Sequence, residues 1–386
     1  MINFKNKSDC SGCHACASIC PKNCIEMRMD AEGFAYPYID TKTCIRCGRC
    51  EQVCPVLHPA KKTKTERIAL AAYTRDETVR VSSSSGGIFT ELAKEIISSG
   101  GVVFGAAFDG SFALSHTCVS TEAELAGLRG SKYLQSRIGD SYVRAKEFLD
   151  RDIPVLFTGT PCQIGGLYAY LGRDYDNLVT QDLICHGVPS PLVWKKYLKE
   201  QENKHKGRAT GVCFRDKTLG WKKFSVTIDF FDKTPYCKMH REDPYMSLFQ
   251  PNFVLRPSCY HCAFKEKYRQ SDITLADFWG IQNVLPQMDD DGGTSLVVLH
   301  SEKAKQLFEQ IKNNCVFAAV DLDEAIKYNP SMISSARMPE KRNAVMRDFG
   351  EKTFRFVAKK YVSVGLLRRA ILCVKRSIRR QLIKHG

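Results

Sequence analysis

The stretch CSGCHACASICP, from Cys10 to Pro21, is matched step for step by CIRCGRCEQVCP, from Cys44 to Pro55. Each reads C-x2-C-x2-C-x3-C-P. That spacing, given twice, is what two [4Fe–4S] clusters require. Three closely spaced thiolates take three irons of a cube, and the fourth cysteine of each run belongs to the other cube. Cys10, Cys13, Cys16 and Cys54 are therefore expected to hold one cluster, and Cys44, Cys47, Cys50 and Cys20 the second. Gly12, Ala15, Ala17 and Gly48 are small enough for tight wrapping, and Pro21 and Pro55 turn the chain away. Between the runs, IEMRMDAEGFAYPYIDTKT predicts two short strands around a turn at Asp30–Gly33. His14 lies inside the first loop, where a hydrogen bond would tune the cluster. Cys24 stands outside the pattern and is read as structural. Zinc also binds CxxC pairs, but it rarely uses three cysteines at this spacing and never needs the duplicate.

The chain has 18 cysteines in 386 residues. A disulfide framework is the competing explanation for so many thiols. Against it stand the size of the chain and its first residues, MINFKNKSD, which hold no apolar signal region. The better expectation is a reducing cytoplasm with cysteines as metal ligands. No run of about 18 uncharged apolar residues occurs, so no membrane span is expected. Hydrophobic residues at 44% against 26% charged point to a globular chain of two or three domains.

The expected organisation is a dicluster domain over 1–57, a linker over 58–67, a core over 68–345 and a basic helical segment over 346–386. In the core, RIALAAYT reads as a strand. Ser84–Ser85–Gly86–Gly87 opens a helix with Ile88, Leu92, Ile96 and Ile97 on one side. A small-residue turn at a helix N-terminus can cradle an anion, but on these residues alone an ordinary N-cap with a flexible turn is the preferred reading. DIPVLFTGTPCQIGGLYAYL and LVTQDLICHGVPSPLVWKKYLKE each read strand, turn, helix, and SDITLADFWG reads as a further strand. The fold class expected is α+β: a small dicluster domain followed by an α/β core. No G-x-G-x-x-G follows a strand, so the core is of non-Rossmann type.

Cys162 follows the TGTP turn, Cys185 ends a buried strand, and SCYHCAF supplies Cys259 and Cys262. Two turn cysteines and one CxxC make a four-thiolate site, with ordinary buried cysteines as the alternative. Cys118, Cys213, Cys237, Cys315 and Cys373 are read as core residues.

Residues 8–57 resemble the bacterial dicluster ferredoxin domain. At SSSSGG, RGSKYLQS, TGTPCQIGGL, DLICHGVPSP, CYHC and ADFWG, the chain from about 68 to 330 resembles a second family. This is the beta subunits of coenzyme F420-reducing hydrogenases and F420-dependent dehydrogenases, to which the 7-hydroxymethyl chlorophyll a reductases are similar. The resemblance implies FAD, and it implies that Cys162, Cys185, Cys259 and Cys262 hold a third [4Fe–4S] cluster. It implies flavin-facing loops at Ser85, Gly86, Gly87, Lys132 and Tyr133, with Thr158, Gly159 and Thr160 lining the same pocket. Lys132 is expected to neutralise reduced flavin or its phosphates, with a lysine on a solvated face as the alternative. His186 is expected to donate to flavin or substrate.

A cube carries one electron and a hydride two, so a flavin beside cubes converts one traffic into the other. The expected function is an oxidoreductase linking ferredoxin, or another small redox protein, to a small-molecule or deazaflavin substrate. The alternatives are an electron-transfer subunit of a larger complex or a genuine F420-reducing or -oxidising subunit. A redox sensor is disfavoured because no output domain is recognisable. A homo-oligomer is compatible with all of these. The net charge of +15 would suggest nucleic acid, but its distribution argues otherwise: residues 351–386 carry 11 Lys/Arg against one Glu. There Val364, Leu367, Ile371, Val374 and Ile378 recur at helical spacing. Two readings stand: a helix capping the domain, or peripheral contact with an anionic membrane surface at its inner face.

Overall fold

The computed structural model describes residues 1–60, 67–231 and 233–362. It is a mixed α+β fold, with a small N-terminal domain set against a larger α/β core. The strands are β1 (Ile25–Met29), β2 (Ala35–Ile39), β3 (Ile68–Thr74), β4 (Val102–Phe108), β5 (Leu114–Val119), β6 (Val155–Thr158) and β7 (Leu178–Leu183). They continue with β8 (Ala209–Asp216), β9 (Ser225–Phe230), β10 (Lys233–Met239), β11 (Ile273–Asp277), β12 (Ser295–Leu299) and β13 (Cys315–Ala319).

The core sheet has the order β13-β3-β12-β11-β7-β6-β4-β5. Strands β4, β6, β7 and β11 are mutually parallel, while β12, β3, β13 and β5 pair antiparallel. Side chains alternate across a strand. Phe104 and Phe157 therefore meet the helices Ser141–Leu149 and Pro161–Leu171 on one face. Their neighbours Val103 and Leu156 meet Ile88–Ser98 and Glu302–Ile311 on the other. Cover on both faces is what a buried parallel block demands.

A second, three-stranded antiparallel sheet, β10-β9-β8, lies beside the core. The residues SVTIDF of β9 bury Val226, Ile228 and Phe230 among Trp194 and Tyr197 of the helix Pro191–His205. The opposite face of this sheet meets solvent. That explains a departure from expectation: Cys213 and Cys237 are exposed, because their buried neighbours are Phe214 and Tyr236. Cys315 is buried and Cys118 half-buried.

The β1–β2 hairpin anchors the N-terminal domain. Asp30 Oδ1 accepts from the N–H groups of Glu32 and Phe34, and Gly33 takes a positive φ of 82°. This turn drives Phe34, 0% exposed, into the core beside Trp194. Burying one such ring contributes about 2 kcal/mol. Glu32 pairs bidentately with Arg342 at 2.6 Å on each branch. The cysteine loops share a second apolar cluster with Ile138, Tyr142, Ile164 and Leu167.

Beyond residue 345 the described chain caps the domain: Phe349, Phe354 and Val357 are buried. Cys373 and the apolar stripe from Val364 to Ile378 lie outside the described residues, as does most of the expected linker. Among the described residues, no helix is long and apolar enough to cross a membrane.

Candidate metal centres and the cavity beside them

Cys10, Cys13, Cys16 and Cys54 line one small void. Gly12 turns the loop at φ 72° and His14 at φ 67°, which folds the first three thiols inward. Burial pushes the Cys13 thiol up to about 12, with Cys10 and Cys54 adding to the rise. The pairing of Cys54 with the first run is the crossed arrangement expected from the spacing. Among the described residues, no three His, Cys, Asp or Glu side chains gather closely enough to hold a single ion. Zinc draws its thiolates to about 2.3 Å from one centre, whereas a cube spreads four thiolates over four irons. Four thiols around one void suit such a cube. Burial holds the His14 ring neutral, its pKa lowered to about 3, and Arg137 and Arg256 lower it further.

Cys20, Cys44, Cys47 and Cys50 line a second void. Cys47 is exposed, so this set lies outermost. Cys24 lines the same void, with its Sγ 3.3 Å from Cys20 Sγ. It is thus a fifth thiol at a four-thiolate site. Cys20→Ala alone is therefore expected to keep both N-terminal clusters, about eight Fe, with Cys24 as substitute ligand. Removing Cys20 and Cys24 together should lose about four of them. Iron analysis of anaerobically purified variants checks this, and equal losses from the single and double variants would count against it.

Cys162, Cys185, Cys259 and Cys262 meet in a third place, walled partly by Ser8, Ser11 and Val56 of the N-terminal domain. Cys162 rides on the first turn of Pro161–Leu171, where Thr160 and Gln163 form a capping box and Pro161 fits the helix start. Thr160 Oγ1 lies 3.1 Å from Cys162 Sγ. Cys185 follows β7, and Gly187 then takes φ 138°. A Cβ there would stand 2.8 Å from Leu255 Cδ1 and 3.2 Å from Cys259 Cβ, so only glycine lets the two segments meet. Val188 N–H donates to Cys259 Sγ at 3.4 Å. Burial raises Cys162 well above the usual thiol range, and Cys262, Cys185 and Cys259 each raise it further. The four are mutual neighbours, and their donor set again suits a cube.

The helix Pro161–Leu171 carries Cys162 of the third set and packs against Cys13 of the first. A Cβ on Gly166 would stand 3.0 Å from Cys13 Cβ, so the glycine admits the cysteine loop. Gly166 is four residues beyond Cys162, about 6 Å along the axis.

Cys162 and Cys185 also line a cavity of about 750 Å³ at the carboxyl ends of β6, β7 and β11. Ligands of open α/β sheets bind at such ends. Of the residues singled out from the resemblance, Ser85, Gly87, Lys132, Tyr133, Thr158, Gly159, Thr160 and His186 line it. Gly86 does not. A Cβ there would stand 2.4 Å from Ala72 O, and its N–H donates to Ser295 Oγ at 3.0 Å. Ser85 Oγ likewise donates to Thr294 O at 2.7 Å. The helix Ile88–Ser98 begins at the cavity wall, with its first-turn N–H groups at that end.

Two of these side chains are engaged by partners within the protein. Lys132 Nζ donates to the carbonyls of Leu128, Arg129 and Gly130 at 3.1, 3.0 and 3.2 Å. Burial lowers its pKa to about 8. Three nearby carbonyls thus engage its donors and tie the side chain to the loop. His186 Nε2 lies 2.6 Å from Asn252 Oδ1, and Asn252 Nδ2 is turned to Arg337 O. Burial lowers the His186 pKa. With Asn252 Nδ2 engaged elsewhere, Asn252 Oδ1 is the acceptor for His186 Nε2–H, which leaves Nδ1 as the ring's second nitrogen.

Sequence reasoning missed the cavity's buried polar network. His116 Nε2 lies 2.9 Å from Thr158 O, and Ser136 Oγ 3.1 Å from its Nδ1. Burial lowers this histidine to about 4. Gln163 Nε2 donates to Ser136 Oγ at 3.0 Å. On the far wall, Arg215 pairs with Asp277 at 2.8 Å. The alternation of LSHTCV could have marked His116 as inward, but nothing in the sequence near Arg215 marks its partner.

Known proteins share both halves of this arrangement. Residues 9–57 match the 4Fe-4S dicluster domain, and residues 36–85 a second 4Fe-4S dicluster model. Residues 69–140 match the N terminus of the coenzyme F420 hydrogenase/dehydrogenase beta subunit, and residues 153–325 match its C terminus. The chain belongs to the F420 hydrogenase/dehydrogenase beta-subunit family, fused to N-terminal 4Fe-4S domains. The family resemblance in the sequence is thereby borne out, and the dicluster match agrees with the two N-terminal thiol sets. Among curated proteins, a "Ferredoxin 7Fe" of Hydrogenibacillus schlegelii is 48% identical over 42 residues, covering 11% of this chain and 47% of that protein. An "NADH-quinone oxidoreductase subunit I 2" of Geobacter metallireducens is 36% identical over 81 residues, covering 20% of this chain and 60% of its own length. The chain thus spans about half the length of the curated relatives it matches. A chain of the F420-reducing [NiFe] hydrogenase complex from Methanosarcina barkeri superposes with a TM-score of 0.49 at 15% identity, covering 75% of this chain and 92% of that one.

Proposed function

We propose that the chain is an electron-transfer oxidoreductase subunit of the F420 hydrogenase/dehydrogenase beta type. It exchanges electrons between a one-electron carrier at its N-terminal clusters and a two-electron deazaflavin at its large cavity. The carrying observation is that Cys162 and Cys185 line both the inner thiol site and the cavity. With the exposed Cys47 at one end and Gly166 packed on Cys13 midway, three thiol sets stand in line from surface to cavity. We assign 1–57 as the electron port and 68–345 as the core, and all twelve cysteines as cluster ligands.

The cavity's volume suits a dinucleotide-sized cofactor with room for a substrate. FAD bound there supplies the change between one-electron and two-electron traffic. The amide groups opening Ile88–Ser98 offer a place for its phosphates. Ser85, Gly87, Tyr133, Thr158, Gly159 and Thr160 shape the surrounding wall, Lys132 fixes its loop, and His186 presents an acceptor nitrogen.

A second reading is a self-contained, ferredoxin-linked oxidoreductase with an organic substrate other than F420. The fused dicluster domain favours it, because an electron inlet is already built in. The reduced chain should be mixed anaerobically with F420, NAD(P) and organic acceptors, and its bound cofactor identified by mass. Rapid oxidation by F420 with FAD released is the expected result. Oxidation by another organic acceptor alone would favour the second reading. Reaction with none would contradict both.

A further inference from the structure

Arg256 is 0% exposed and lies between the N-terminal domain and the core. Nε donates to Cys10 O at 2.8 Å, Nη1 to Gln135 Oε1 at 3.0 Å, and Nη2 to Ala35 O at 3.0 Å and Cys10 Sγ at 3.6 Å. None of these acceptors is a carboxylate. The Tyr36 ring lies 4.3 Å from the guanidinium carbon. Gly12 makes the room: a Cβ there would stand 2.8 Å from both Arg256 Nη1 and Gln135 Nε2.

A guanidinium does not lose its proton in a protein, and an unpaired buried charge is strongly disfavoured. This one is packed against neutral carbonyls and one cysteine sulfur. What is missing is negative charge, on the side of Cys10. A cube held by four thiolates carries net negative charge, and one unit more after reduction. Burial alone disfavours that added charge and would lower the cluster's potential, leaving it a barrier between the outer set and the inner one.

We propose that Arg256 is the counter-charge of the cluster held by Cys10, Cys13, Cys16 and Cys54, and that it raises that cluster's reduction potential. One electron then passes inward from the outer cluster, which is oxidised, to this one, which is reduced, and no bond changes. The Lys22, Arg46 and Arg49 side chains beside the outer set are exposed, so water and salt screen them. Arg256 is a positioning residue, touching a ligand and not the reacting atoms of any substrate. Its backbone carbonyl also accepts from Cys259 N–H at 2.9 Å, so the same residue braces the inner set.

This inference rests on the cluster reading above, which iron content tests separately. The full chain, Arg256→Gln and Arg256→Lys should be purified anaerobically, assayed for iron and titrated by EPR at controlled potential. The outer cluster's signal is identified by its loss in Cys47→Ser. In Arg256→Gln with unchanged iron, the midpoint of the first cluster should move negative while that of the outer cluster stays. Arg256→Lys, which keeps the charge, should recover most of the shift. A merely structural role would not separate these two variants. Should Arg256→Gln fail to load iron, Gln135→Glu places a carboxylate against Nη1 and keeps the arginine. Its first-cluster midpoint should also fall. An unmoved midpoint in either fully loaded neutralising variant would overturn the proposal.

Discussion

Replacing Cys259 and Cys262 together by alanine is expected to remove about four iron atoms per chain and leave about eight in place. The same double variant should no longer pass electrons from the N-terminal clusters to the cavity, and ferredoxin-driven turnover should drop to background. The geometry leaves no obvious bypass, because Cys162 and Cys185 are the thiols that line both the inner site and the cavity. The effect should read as loss of a cluster and not as loss of the fold. Both thiols are half-buried, and shortening each to alanine costs about 1 kcal/mol in a chain of this size. Iron analysis alongside a thermal melt separates the two outcomes. Full iron in a folded double variant would retire the inner cluster.

The second large effect is expected at the other end of the line. Cys13→Ser and Cys47→Ser together should abolish reduction of the cavity's cofactor by a reduced ferredoxin. Reduction by an artificial hydride donor should survive, because such a donor enters at the cavity and needs no cube. Cys47 is the exposed thiol of the outer set, and Cys13 is the one pressed against Gly166. Loss of both activities in equal measure would mean that the variant disturbs the cavity itself. Turnover measured in parallel with the two donors distinguishes these cases.

The cysteine runs show which parts of such a molecule are legible beforehand. Their spacing alone specified two crossed thiol sets, because cluster ligation ties chemistry to local sequence steps. The TGTP and CHG turns were legible for a similar reason. Pro161 at a helix start is demanded locally. Long-range pairings were not legible. Arg256 reaches Cys10 across 246 positions and Arg342 reaches Glu32 across 310. No periodicity carries such partners. The β8–β10 sheet was also missed, since its strands alternate only on a half-buried face and carry no motif. Lys132 shows the limit of a residue type read without its neighbours. A lone lysine beside a suspected flavin loop suggests charge compensation, yet three carbonyls within 3.2 Å hold it to the loop. Cys24 looked spare because it breaks the spacing, and only the fold brings its sulfur to the second set.

The most direct test of the central claim is rapid anaerobic mixing of the full chain with a reduced ferredoxin, followed in the cluster and flavin absorption bands. If the wild-type chain carries the proposed flavin and about twelve Fe, it should show cluster reduction first and flavin reduction after it. The chain lacking the Cys259 and Cys262 thiols should show only the first phase. Flavin reduction at an unchanged rate in that variant would contradict an electron line running through the inner thiol set.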